Sequence, residues 1–173
     1  MTGRTVAVIG PMGAGKSSVG RKLAKRLGLP FADTDQRIVA RHGTIAELFA
    51  ERGEPEFRML ERQVVAEALG EGGVVALGGG AVLDPATRAD LARCHVVLLT
   101  VDEAAVADRL ASGARPLLVD GLDSWRRIAA EREVVYRGVA DLVVDTSRRP
   151  MAHVVEEIAT ALASALASEE DRS

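Results

Sequence analysis

Directly behind the apolar run Thr5-Val6-Ala7-Val8-Ile9 stands Gly10-Pro11-Met12-Gly13-Ala14-Gly15-Lys16-Ser17, which fits the phosphate-binding pattern GxxxxGK[ST]. A phosphate cradle needs several backbone N–H groups turned toward one anion, and the glycines allow the sharp turns and close approach this requires. A helix opening near Lys16 adds the positive end of its dipole. Lys16 can reach the β- and γ-phosphates of a nucleotide, and the Ser17 hydroxyl can ligate Mg²⁺. A glycine-rich turn with a surface lysine would account for the glycines. It would not account for the lysine, the hydroxyl and the flanking strand and helix together.

A nucleotide site leaves the phosphoryl acceptor open, and the other chemistry-bearing residues must identify it. Asp33-Thr34-Asp35 places two carboxylates at the end of a short apolar segment. One can hold Mg²⁺ through water, and the other can accept a proton from a substrate hydroxyl. Alternation along an extended segment points both the same way; the competing reading is an N-cap acid pair for the next helix. Arg58 and Glu61 lie three apart on one helical face, which alone describes a surface ion pair of little value. Beside an acidic loop, the guanidinium fork also suits a substrate carboxylate. Gly78-Gly79-Gly80, directly after a buried strand, exposes N–H groups for close approach of a ligand. Arg115, in a glycine-bounded loop, and Arg137, on a late helix, can converge on phosphate or carboxylate, although each arginine taken singly reads as a surface charge. An arginine on a lid suits phosphoryl transfer, which needs developing charge stabilised and water excluded.

These residues need elements to position them. Strands are expected at about 5–9, 31–33, 74–77, 96–99 and 142–144, each short and apolar. Between them, helices are expected at about 16–27, 36–41, 45–52, 56–69, 85–91, 103–111, 125–139 and 151–166. Thr44 with Glu47 forms a capping box, Gly28 and Gly53 are stops, and Asp84 and Asp102 are caps. The stretch 112–124 breaks the periodicity and reads as a loop, and 168–173 as a polar tail. Short apolar strands alternating with helices imply a three-layer α/β/α fold: a five-stranded parallel sheet with helices on both faces and right-handed crossovers. Ligands bind such sheets beyond the strands' carboxyl ends, where the phosphate loop, Asp33, Asp35 and the glycine run all fall.

The 173 residues form one domain, with a lid at about 112–122. A net charge of −3 with 27% charged residues of both signs carries no basic bias toward nucleic acid, and 3% aromatic residues weaken a base-stacking platform. No apolar run is long enough to span a membrane, so the expectation is a cytoplasmic monomer without membrane or nucleic-acid partners. Cys94 is the sole cysteine and reads as a buried inert thiol; with three scattered histidines, no zinc site can be drawn.

From first strand to last helix the chain resembles the shikimate kinase family. The resemblance rests on Gly10–Ser17, Asp33-Thr34-Asp35, Gly53-Glu54 with Phe57-Arg58 and Glu61, Gly78-Gly79-Gly80-Ala81-Val82, Arg115-Pro116-Leu117-Leu118, Tyr136-Arg137 and Arg148-Arg149-Pro150. It implies a P-loop kinase fold like that of nucleoside monophosphate kinases. The implied activity is transfer of the γ-phosphate of ATP to the 3-hydroxyl of shikimate, in the chorismate pathway to aromatic amino acids. Carried over by position, Asp35, Arg58, Gly79, Gly80 and Arg137 hold shikimate, the two arginines gripping its carboxylate and Asp35 its hydroxyls and acting as the candidate base. Gly13, Ala14, Gly15, Lys16, Ser17 and Ser18 bind the nucleotide. Lys16 and Arg115 neutralise the transferring group, Arg109 and Arg148 flank adenine, and Ser17 and Asp33 serve Mg²⁺. Ser18 stands where relatives often carry threonine, a hydroxyl-for-hydroxyl change. The glycine run occupies the place of an aspartate-bearing Walker B strand, which leaves Asp33 as the acidic metal partner. Rival readings are a gluconate or nucleoside monophosphate kinase and a non-catalytic nucleotide-binding module.

Overall fold

Apolar strands that lack a polar face must be covered on both sides; here the central strands are, while the edge strand at 142–145 leaves Val143 exposed. In the computed structural model, which describes residues 4–111 and 121–170, β1 (Val6–Ile9), β2 (Phe31–Asp33), β3 (Val74–Ala76), β4 (His95–Thr100) and β5 (Leu142–Asp145) form one sheet. The order is β2-β3-β1-β4-β5 and every pairing is parallel. Successive side chains of β1 enter different cores, as the twofold strand period requires. Val6 and Val8 join Leu23, Val106, Trp125 and Ile158 on one face. Ala7 and Ile9 join Val65, Ala68, Leu98 and Tyr136 on the other.

Among the described residues seven α-helices follow the expected order: α1 (Lys16–Leu27), α2 (Thr34–His42), α3 (Ile45–Glu71), α4 (Pro85–Leu91), α5 (Glu103–Ala111), α6 (Gly121–Val139) and α7 (Met151–Glu170). The boundaries that matched expectation are those set by caps. Gly28 ends α1 in the left-handed region, Asp84 Oδ1 accepts from Ala86 N and Thr87 N at the start of α4, and Asp102 Oδ1 accepts from Ala105 N at 2.7 Å. Thr44 and Glu47 form the capping box. Gly53 breaks the helical path with φ 80° and ψ 169° inside a span that continues to Glu71.

Three expectations are corrected. Helix α2 begins at Thr34, so Asp35 lies in its first turn and not on an extended segment. Helix α6 begins at Gly121, four residues before the expected start, which removes 121 and 122 from the lid span; residues 112–120 lie outside the described residues. Helix α7 continues to Glu170, past the Ser168 where the polar tail was expected to start, because its Ala-rich composition favours helix over fraying.

The sheet delivers its loops to one rim. Gly10 leaves β1 with φ 144°, and a Cβ there would lie 2.3 Å from the Leu99 carbonyl oxygen of β4, so only glycine lets the phosphate loop start this close to the neighbouring strand. At the end of β2 the buried Thr34 Oγ1 accepts from Gly78 N at 3.0 Å, tying the acidic loop to the glycine run after β3. Thr34→Val keeps the shape but strands a buried N–H. It should lower the unfolding free energy by about 1–3 kcal/mol, read as a lower urea midpoint at unchanged slope.

Candidate active site

The donor half is built around the loop from Gly10 to Ser17. Lys16 Nζ donates to the carbonyls of Gly10 (2.8 Å) and Pro11 (3.0 Å), so the cation lies against its own loop. Ser17 Oγ donates to Asp33 Oδ2, while Asp33 Oδ1 accepts from Gln36 N at 3.0 Å. Asp33 is thus both the N-cap of α2 and the partner of the loop hydroxyl. Beside the loop lies a cavity of about 290 Å³ whose lining includes Gly13, Gly15, Ser18, Arg109, Trp125 and Arg149. Arg109 lines it too, donating to the carbonyls of Gly13 and Thr146. Arg148 does not line it. The chain turns between β5 and α7 so that the next residue, Arg149, faces the cavity, with Glu157 as its ion-pair partner.

The acceptor half is assembled on the glycine run. Arg58 Nη1 donates to Glu61 Oε2 at 2.6 Å, and its other arm lies 3.5 Å from Glu54 Oε1. A Cβ at Gly80 would sit 2.4 Å from Arg58 Nη1, and one at Gly78 would sit 2.6 Å from Asp35 Oδ1 and 2.9 Å from Glu61 Oε1. Gly78 and Gly80 therefore have no room for a side chain, because charged groups lie against their backbone. The Gly78 N–H, expected to face a ligand, is committed to Thr34. Glu61 is buried, which raises its carboxyl above the ordinary range, with Arg58 pulling it down and Asp35 pushing it up.

Arg137 is paired along its own helix. Its Nε donates to Glu133 one turn back, and both side chains are more than half exposed. The arginine that reaches the glycine run is Arg132, whose Nη1 would lie 3.4 Å from a Cβ at Gly79, next to Tyr136, whose Oη donates to the Gly79 carbonyl. Helical spacing explains the difference. Arg132 and Tyr136 are one turn apart on a shared stripe, whereas Arg137 is turned by roughly 100° from Tyr136. The available signal was the spacing Trp125, Ala129, Arg132, Tyr136, a single face of α6. Glu61 was read only as the partner of Arg58, and Tyr136 only as a motif residue. Arg115 lies outside the described residues. Cys94 is buried and its thiol is pushed up by burial, in keeping with an inert role.

A family model described as shikimate kinase matches residues 12–163. The chain belongs to the shikimate kinase family. A shikimate kinase of Thermobifida fusca is 48% identical over 171 residues, covering 96% of this chain and 97% of the relative. One of Streptomyces coelicolor is 46% identical over 160 residues, covering 90% and 94%. A solved shikimate kinase of Acinetobacter baumannii, in complex with shikimate, superposes with a TM-score of 0.86 at 32% identity over 93% of each chain. This protein is accordingly an enzyme, a P-loop kinase of the shikimate kinase type that takes ATP as phosphoryl donor. A gluconokinase of Sinorhizobium meliloti, with a TM-score of 0.64 at 22% identity, shares the fold.

The raised Glu61 carboxyl has a pH signature. Folding takes up a proton in the window that opens at the unfolded glutamate pKa and closes at the raised folded one. This residue therefore makes the fold less stable as pH rises through that window. Urea midpoints measured from mildly acidic to neutral pH should fall more steeply for the parent chain than for Glu61→Gln. Equal slopes would show that Arg58 fully offsets the burial.

Proposed function

We propose that the two halves perform one reaction, in which the 3-hydroxyl oxygen of shikimate bonds to the γ-phosphorus of ATP while the bond from that phosphorus to the leaving ADP oxygen breaks. The observation that carries this reading is the position of the glycine run. A Cβ at Gly79 would lie 3.4 Å from Arg132 on one side and 3.7 Å from the Gly10 carbonyl of the phosphate loop on the other. A ligand held by Arg58, Arg132 and Asp35 is therefore adjacent to the phosphate cradle.

Arg58 and Arg132 take the shikimate carboxylate, the role that position alone would give to Arg58 and Arg137. Asp35 receives the proton of the attacking hydroxyl. Lys16, with Arg115 from the 112–120 segment, balances charge on the transferring group. Gly13, Ala14, Gly15, Ser17 and Ser18 hold the nucleotide phosphates, with Arg109 and Arg149 at the adenine end. Ser17 and Asp33 fit Mg²⁺: a hydroxyl and a carboxylate oxygen in contact are hard donors, and this ion keeps several waters and needs only one or two side chains besides phosphate. When bound, it supplies charge neutralisation between the phosphates. We take the enzyme to act as a cytoplasmic monomer on two small molecules, a reading that its mixed-sign surface and net charge of −3 support.

In a coupled ADP-release assay, shikimate should stimulate ATP consumption whereas gluconate and AMP should not; silence with shikimate would overturn the reading. Lys16→Ala should lower kcat roughly a hundredfold or more. Arg132→Ala should raise the KM for shikimate roughly tenfold or more through loss of charge-assisted hydrogen bonds. Arg137→Ala should stay within about twofold. The reverse ranking of the two arginines would return the carboxylate to Arg137.

A further inference from the structure

Three consecutive carbonyls of the phosphate loop are each held by a side chain from a different part of the fold. Trp125 Nε1, on α6, donates to the Met12 carbonyl at 2.8 Å. Arg109 Nη1, on α5, donates to the Gly13 carbonyl. Thr146 Oγ1, directly after β5, lies 2.8 Å from the Ala14 carbonyl and 3.1 Å from that of Thr100, with one proton to give. Trp125 and Thr146 are both more than nine-tenths buried, so neither bond is an incidental surface contact. The indole has a single donor, and Met12 satisfies it.

A trans peptide is planar, and its C=O and N–H point in opposite directions. Drawing the carbonyls of Met12, Gly13 and Ala14 toward these three side chains therefore turns the N–H groups of Gly13, Ala14 and Gly15 the other way. The Ala14 N–H is turned inward, onto the Pro11 carbonyl at 3.3 Å, so the groups left for an anion are those of Gly13 and Gly15. We propose that Trp125, Arg109 and Thr146 form an outer clasp of positioning residues that aims the phosphate-loop N–H groups at the nucleotide's phosphates before the nucleotide arrives. The clasp spends no protein group on the phosphate itself. It presets the peptide planes, so that the loop does not have to reorganise on binding.

The clasp rests on the proposed reaction only in that the loop must bind nucleotide phosphate, and its test reads nucleotide alone. All three residues also line the 290 Å³ cavity, so a direct wall for the base is the competing explanation. Adenosine separates the two because it has the base and no phosphate. Affinities of ADP, adenosine and shikimate are measured by calorimetry or ligand-observed NMR for the parent chain, Trp125→Phe, Thr146→Val and Thr146→Ser, together with melting temperatures. Loss of one hydrogen bond to a loop carbonyl should weaken ADP roughly three- to tenfold in Trp125→Phe and in Thr146→Val. Adenosine and shikimate should stay within about twofold, and Thr146→Ser, which restores the hydroxyl, should return ADP affinity to the parent value. ADP binding unchanged in both variants would overturn the clasp, as would adenosine weakening in step with ADP. Should Trp125→Phe fail to fold, the Thr146 pair decides alone. A chain that binds ADP as described yet ignores shikimate in turnover would remove the proposed reaction and leave the clasp standing.

Discussion

The site depends on how little room there is above the backbone at residues 78–80. A methyl group would displace a charged neighbour at Gly78, where it meets Asp35 and Glu61, and at Gly80, where it meets Arg58, while at Gly79 it would stand in contact with Arg132 and Tyr136. Such proximity joins elements far apart in sequence, since α2, α3 and α6 each send a side chain onto the same few peptide planes. It also sets where the acceptor half lies, because Gly79 abuts Gly10, where the donor loop begins. One short run with no side chains is thus the common wall of the arginine cluster and the phosphate loop. Without it, Arg58 and Arg132 and the phosphate loop would be separated by at least a layer of side chains.

Charge on that wall is balanced in advance. Arg58 is held by the buried Glu61 and, more loosely, by the exposed Glu54. Burying Glu61 is costly, and the pair alone is poor evidence for stability. Its effect is on geometry: a guanidinium fork fixed by one carboxylate keeps its remaining donors in a set plane. A ligand carboxylate then meets an oriented fork and not a flexible side chain, so less rotamer freedom is lost on binding. Tyr136 does for the Gly79 peptide what Glu61 does for Arg58, since its buried hydroxyl anchors the carbonyl.

Much of this was legible in the sequence, and the parts that were not have physical causes. Strands buried on both faces read as plain apolar runs, and helix boundaries fell where a capping acid began a helix, as at Asp84 and Asp102, or a glycine ended one, as at Gly28. The sheet class and the loop positions followed from those two signals. Side-chain direction on a helix is set by an angle of 100° per residue, and a motif matched by residue type ignores it. That is why Arg132, and not Arg137, shares the Tyr136 stripe; Arg149 lines the cavity in place of Arg148 because the turn after β5, and not a helix, sets their directions. The start of α6 was missed because Gly121, a poor helix former, reads as part of the preceding loop. Asp35 was expected on an extended segment because the capping acid Asp33 comes before Thr34, and α2 therefore begins two residues earlier than the apolar pattern shows.

Asp33 bears on how such residues are weighed. The sequence offered two readings of it, a capping acid for the next helix or a partner for chemistry at the phosphate loop, as though one excluded the other. A carboxylate has two oxygens with separate lone pairs, and here one accepts from Gln36 N while the other accepts from Ser17. The cap holds the side chain at the end of β2 with its second oxygen facing the loop. The structural role is therefore what makes the chemical one available at low conformational cost. The same logic applies to Thr34, whose hydroxyl both belongs to a buried turn and fixes the Gly78 peptide. In this fold Asp33 and Thr34 are both positioned by bonds to backbone N–H groups, and Asp33 keeps its second oxygen on the loop hydroxyl.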